Sequence, residues 1–175
     1  QPSVDGLNVF IISKLVREQG ITVALSGLGG DELFGGYPSF RDVPRLRRAV
    51  RRLSWLPASL RSAAARLALL GRPYAVRQKL SDMMATEGDI LSLYLHRRRA
   101  LSDRQLLDLG VDAGGLGLNA HLLDPAVVAD LPGDPSDVTW LLSVLESRFY
   151  MGNMLLRDND TNGMAHSLEI RVDRK

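Results

Sequence analysis

The sequence contains no cysteine. A disulfide framework and a thiolate metal site are both excluded. No apolar run approaches the length of a membrane span, and the opening Gln1-Pro2-Ser3 does not read as a secretion signal, so a cytoplasmic location is expected. Aromatic residues make up only 6% of the 175 residues. Acidic residues are almost missing from one segment: between Arg41 and Lys79, Asp42 stands alone against eleven Lys and Arg. The overall net charge of +2 conceals this asymmetry. The basic segment can attract the acidic remainder of the chain or a separate anionic partner. Trp55 and Tyr74 are its only aromatics, too few for a base-stacking surface. Two nucleotide-binding signatures are missing as well: no G-x-G-x-x-G opens a helix, and no Gly-Lys-Ser/Thr occurs.

What is present is an ordinary globular composition, 45% apolar and 24% charged, enough for one domain with a core. Leu7, Ile11 and Leu15 recur at helical spacing and predict a helix over 4–19, with Gly20 as its stop. Ile21 to Leu25 reads as a buried strand of a parallel sheet. Further helices are expected over 44–53, 57–70, 73–85, 88–99 and 102–109, punctuated by Pro57, Gly71-Arg72-Pro73 and Gly88. Residues 110–117 read as a loop and 131–135 as a break. A last apolar helix carries Val138, Leu141, Leu142, Leu145 and Phe149, capped by Ser136 or Asp137. The organisation expected is a helix, strand and glycine loop over 1–37, a helical region over 38–132, and a helix with a second motif over 133–175.

The strand ends in Ser26-Gly27-Leu28-Gly29-Gly30-Asp31-Glu32-Leu33-Phe34-Gly35-Gly36-Tyr37. Glycines after a strand let several backbone N–H groups converge and leave room for a ligand against the chain. Such a nest suits phosphate. A carboxylate inside it is electrostatically consistent when Mg²⁺ lies between Asp31 and the phosphates, since that ion takes carboxylate and phosphate oxygens together. On glycine count alone, a plain tight turn with Asp31 capping the next helix is an equal reading.

The full string closely resembles the second nucleotide-site motif of the asparagine synthetase family. A second string, Leu155-Leu156-Arg157-Asp158-Asn159-Asp160 followed by Met164-Ala165-His166-Ser167-Leu168-Glu169-Ile170-Arg171-Val172, resembles that family's later segment, in the same order. The resemblance covers the chain up to Val172. It implies a chain that is mainly α and forms part of an α/β parallel-sheet domain of the ATP-pyrophosphatase (adenine nucleotide α-hydrolase-like) type. It implies a glutamine-dependent ligase that uses ATP and Mg²⁺ to adenylate a carboxylate, then transfers ammonia to it. Ser26, Gly27, Gly29 and Gly30 would lie along the nucleotide, Asp31 would hold the metal, and Leu28 and Glu32 would face the acceptor substrate, Glu32 with a capping or bracing role as the other option. The implied partners are a glutaminase domain of the same parent chain and the acceptor carboxylate, with neither membrane nor nucleic acid expected.

Three departures from the family pattern qualify this. The family's Ser-Gly-Gly-x-Asp-Ser phosphate loop is not in the sequence and is expected upstream of Gln1; its lysine-bearing loop is absent too. After Val172 the text is Asp173-Arg174-Lys175 rather than Pro-Phe-Leu-Asp. The chain is therefore expected to be an inactive piece of a longer enzyme. At Leu28 the asparagine synthetases carry Glu, and a leucine cannot pair with a substrate ammonium, which puts aspartate in doubt as the acceptor.

Of the remaining residues, His166 reads as structural, Arg157, Asp158 and Asp160 as either a salt-bridge network or substrate contacts, and Met151, Met154 and Met164 as core filling. His96 with Arg97, Arg98 and Arg99 reads as a solvated helix end. Two other functions stand beside the ligase: an RNA-modifying enzyme of the ATP-pyrophosphatase type, and a helical docking module.

Overall fold

The computed structural model describes residues 4–112, 123–131 and 136–172. The expected loop at 113–117, the expected break at 132–135 and the last three residues lie outside these. The described chain is dominated by helices, with one small parallel sheet. This bears out the mainly helical expectation. No helix among the described residues is long and apolar enough to cross a membrane.

The chain divides into two compact units. One holds the residues up to Tyr37 and those from Ser143 onward; the other runs from Pro38 to Leu142.

In the first unit, α1 (Val4–Glu18) leads to β1 (Val23–Ser26), the glycine turn and the short α2 (Gly30–Phe34). The unit then includes the end of α9 (Val138–Leu145), a π-helical segment (Glu146–Leu155), α10 (Leu156–Met164) and β2 (Glu169–Val172). β1 and β2 pair in parallel, with Val23 opposite Glu169 and Ser26 opposite Val172. The last apolar helix runs on past Phe149. It continues as a π-helix into α10, so the polar cluster Arg157 to Asp160 lies on a helix. The wider π turn breaks the 3.6-residue period on which a sequence reading depends.

α1 meets α10 through small residues. Gly6 lies against Asp158: a Cβ at Gly6 would stand 3.1 Å from the Asp158 carboxyl carbon. Ser13 is buried on α1. The apolar face expected to form the core, Leu7, Ile11 and Leu15, is exposed, as are Val23 and Leu25 of β1. Gly6 lets the two helices approach closely, and the branched side chains of α1 are left outside.

β2 is launched by a tight helix end. Leu168 N–H donates to Gly163 O at 3.0 Å and Ser167 N–H to Met164 O at 2.9 Å. Ser167 takes φ +55°. This is the Schellman pattern with serine at the left-handed position usually given to glycine. Gly163 is itself required, because a Cβ there would lie 2.9 Å from both Leu168 O and Ile170 Cδ1.

The second unit packs α3 (Ser39–Arg52), α4 (Ala58–Ala68), α5 (Tyr74–Ala85) and α6 (Ile90–Arg98), with the shorter α7 (Asp103–Asp108) and α8 (Pro125–Ala129) following in sequence. Val43, Val50, Met83, Ile90, Leu93 and Tyr94 are buried. Helix α3 opens at Ser39 and runs through Pro44, where the sequence suggested it would begin. Val43, just before that proline, and Val50, about two turns after it, are both buried, so the helix carries core residues on each side of Pro44. Arg61 is buried and locks α4 to the end of α5: Nε donates to Met84 O at 2.9 Å and Nη2 to Thr86 O at 2.8 Å. Helix α6 is capped by Asp89, which accepts from Ser92 N–H at 2.7 Å.

Candidate functional site

The parallel pairing of β1 with β2 brings the two motifs to one end of the same sheet. Ser26 ends β1, and Asn159 of α10 donates through Nδ2 to its hydroxyl at 3.5 Å. The Leu28 N–H also reaches Ser26 Oγ, at 3.4 Å. The hydroxyl thus links the glycine turn to the second motif.

The glycines of the turn differ in their reasons for being glycine. Gly29 has φ +100° and Gly35 φ +72°, where a side chain would be strained. At Gly27 and Gly30 a Cβ would meet no atom within 4 Å. Nothing inside the chain demands glycine at those two positions, and the space beside their backbone is open.

Asp31 is not the cap of the helix that follows. Gly29 is the cap residue of α2, without a side-chain cap bond, and Asp31 lies in the first turn. The capping alternative for Asp31 is therefore set aside. The Asp31 side chain folds over Gly36, where a Cβ would stand 2.8 Å from the carboxyl carbon. Only glycine at 36 leaves the carboxylate there, on the exposed side of the turn. No cluster of three metal-ligating side chains occurs among the described residues. A single exposed carboxylate is a donor set that fits Mg²⁺ completed by water and phosphate oxygens, and does not fit a cation caged wholly by protein.

Glu32 points the other way. It is 1% exposed, and Tyr37 donates to its Oε1 at 2.8 Å. Its main-chain oxygen accepts from Ser143 Oγ at 2.7 Å. Burial, and then the hydrogen bond and charge of Glu32, push the Tyr37 phenol well above its ordinary value. The Tyr37 ring meets Tyr150 edge-on at 5.4 Å, and Tyr150 reaches Asp5 at 3.5 Å.

Beside the turn lies a cavity of about 510 Å³. Leu28, Gly29, Glu32 and Leu33 line it from the first motif, Leu156 and Val172 from the second, and Ser147 and Met151 from the π-helix. Leu28 faces this cavity rather than the core. Its lining is mostly apolar, and 510 Å³ falls within the range of small-molecule sites. The sequence reading missed Ser143, Ser147 and Tyr150. The π turn that aims Ser147 and Met151 has no sequence signature, so only the fold could bring them forward. Met151 lines the cavity, while Met154 and Met164 are exposed, so these methionines do not fill the core as expected. Arg157 and Asp160 are exposed, whereas Asp158 is buried against Gly6. The His166 ring packs edge-on against Phe10 at 4.3 Å.

A family model described as Asparagine synthase matches residues 5–173. A shorter match is to "Putative asparagine synthetase [glutamine-hydrolyzing] 1" of Methanocaldococcus jannaschii, 43% identical over 42 residues, which is 24% of this chain and 8% of that relative. The aligned segment is thus a small part of the relative's length. No solved structure matches the chain.

Proposed function

The chain belongs to the asparagine synthase family, and from that premise we propose that it carries part of the synthetase site of an amide-forming ligase. The acceptor carboxylate attacks the α-phosphorus of ATP, the bond to the pyrophosphate oxygen breaks, and pyrophosphate leaves. Ammonia then attacks the acyl carbon of the mixed anhydride, and AMP departs as the amide forms. The relative's name describes that protein as glutamine-hydrolyzing; we extend the same nitrogen source to this chain, supplied by a glutaminase domain of the same polypeptide.

The observation that carries the proposal is the shared cavity. Two motifs well over a hundred residues apart contribute Leu28, Gly29 and Glu32 on one side and Leu156 and Val172 on the other. In this reading Ser26, Gly27, Gly29 and Gly30 follow the nucleotide, whose phosphates occupy the open space beside Gly27 and Gly30. Asp31 would hold Mg²⁺, which would neutralise charge developing on the departing pyrophosphate. Glu32, tied to Tyr37, braces the turn at the cavity wall. The exposed apolar residues of α1 and β1 support a further layer of a larger parallel sheet, since parallel sheets are covered on both faces.

The cavity also bears on the acceptor. Leu28, Leu33, Met151, Leu156 and Val172 offer carbon. Burying one leucine against substrate contributes roughly 1.5–3 kcal/mol when the substrate has carbon to match. Leu28 itself offers a free ammonium no hydrogen bond, and desolvating the charge against it costs more. We therefore assign a bulkier or less polar carboxylate than aspartate. The test is ammonia-dependent AMP formation by the full-length protein across a panel of carboxylates. A larger apolar acid should be the best acceptor, and Leu28→Glu should shift preference toward aspartate. If aspartate is best in the wild type and Leu28→Glu does not improve its use, the assignment fails.

A further inference from the structure

The proposed reaction leaves the π-helical segment without a task. Glu146–Leu155 spans ten residues, longer than the single-turn bulges in which π geometry usually occurs. Its i→i+5 bonding gives each turn nearly one residue more than an α-helix has. The consequence is felt at the cavity beside the glycine turn. Ser147, Met151 and Leu156 all line it, at separations of four and then five residues. In an α-helix those nine residues, at about 100° each, come to about two and a half turns, and Leu156 would lie on the side opposite Ser147. The wider π turns hold all three on one side. Gly152 belongs to the same device. A Cβ there would stand 3.3 Å from Ser147 O, so glycine leaves that carbonyl room.

The wall so formed is mostly apolar. Leu28 and Leu33 come from the first motif, and Leu156 and Val172 from the second. The Met151 sulfur lies over the turn, 4.0 Å from where a Cβ at Gly29 would be. Two lining side chains carry oxygen. Glu32 is almost wholly enclosed and takes the Tyr37 hydroxyl on Oε1 at 2.8 Å. Ser147 is half-buried, and its hydroxyl makes no hydrogen bond to any other described residue. A helical serine can bond back to the carbonyl one turn earlier, and this one does not.

We propose that Ser147 is a specificity-determining residue for the acceptor. It hydrogen-bonds an uncharged polar group, a hydroxyl or an amide, on the side chain of an otherwise apolar acid. This rests on the ligase reading and narrows the class of bulky acids assigned there. A serine hydroxyl both donates and accepts, so either group finds a partner in it. A second carboxylate or an ammonium would keep its charge against apolar walls, which is costly. A wholly apolar acid would fill the space but would cover the Ser147 hydroxyl and strip it of water, leaving a polar group unpaired. The one open hydroxyl therefore selects for a matching group, and the π turns are what aim it.

The test is exchange of labelled pyrophosphate into ATP by the full-length protein with Mg²⁺ and matched acids. Aliphatic acids from valerate to octanoate are each compared with their hydroxylated and carboxamide-bearing forms. One polar form should exceed its plain parent by about tenfold in kcat/KM for the acid. Ser147→Ala should bring that pair to parity, with the KM for ATP at its wild-type value. Ser147→Thr, which keeps the hydroxyl, should keep the preference. A ratio that Ser147→Ala leaves unaltered, whatever the rates, overturns the assignment and leaves the ligase reading standing. So does a wild type that prefers the plain form of every acid. Exchange with none of these acids overturns the ligase reading and the assignment together.

Discussion

The Tyr37 hydroxyl donates to Glu32 Oε1 across 2.8 Å, and it does so where Glu32 is almost wholly enclosed. The middle and the end of the glycine motif are thereby tied by a hydrogen bond. Removing the donor leaves a buried carboxylate oxygen short of a partner. Tyr37→Phe should destabilise the protein by about 1–3 kcal/mol. Denaturant titration of the two proteins checks this. A change of a few tenths would mean that Glu32 finds another donor.

The same bond gives a pH signature. The folded phenol titrates above its unfolded value of 10.0, because burial and then Glu32 disfavour the phenolate. Its contribution is present in full below about pH 10 and is lost as pH rises toward the folded value, since the unfolded chain then releases the proton first. Stability of the wild type should therefore fall more steeply with pH above about 10 than that of Tyr37→Phe. Parallel slopes of the two proteins in that window would remove Tyr37 as the cause.

Asp31 and Gly36 form a second pair. The Asp31 carboxyl carbon lies 2.8 Å from the point a Cβ at 36 would occupy. Gly36→Ala must move the carboxylate. Misplacement by about an ångström can cost on the order of a hundredfold in rate. The full-length Gly36→Ala protein should therefore lose adenylation on that scale with little change in its unfolding midpoint. Normal rates in this variant would mean that the carboxylate's position does not matter.

Much of this arrangement could be read from the residues. Helices α1 and α4 to α7 lie within a residue or two of the positions their spacing and breakers suggest, because Gly20, Pro57, Pro73 and Gly88 act locally. The glycine turn and Asp31 were legible as a string. What was not legible depends on contacts between distant parts of the chain. The π turn at Glu146–Leu155 disrupts the helical period, so Ser147 and Met151 gave no sign of facing the cavity. Nothing local to His96 says that it is buried, and so the end of α6 read as solvated. The apolar stripe of α1 marks a helix correctly, yet Gly6 and Ser13 pack while the stripe stays exposed.

Ser167 holds φ +55° at the end of α10, where a side chain costs roughly 1–2 kcal/mol. Ser167→Gly should recover about 0.5–1 kcal/mol of that after the added flexibility of glycine in the unfolded chain. Gly163→Ala should do the reverse, costing about 1–3 kcal/mol by pressing on Leu168 and Ile170. Thermal unfolding of both variants checks the pair. Opposite signs are expected, and a stabilising Gly163→Ala would contradict the packing described.

The central claim is that the glycine turn and the second motif together form a carboxylate-activating site with Asp31 at its metal. The most direct measurement is exchange of labelled pyrophosphate into ATP, the reverse of adenylation, catalysed by the full-length protein with Mg²⁺ and an acceptor carboxylate. The account predicts exchange that requires both, and that falls by on the order of a hundredfold or more in Asp31→Asn with the fold intact. The 175-residue chain alone, without the Ser-Gly-Gly-x-Asp-Ser and lysine loops, should give none. Exchange in Asp31→Asn at the wild-type rate, or no exchange with any carboxylate tried, would contradict it.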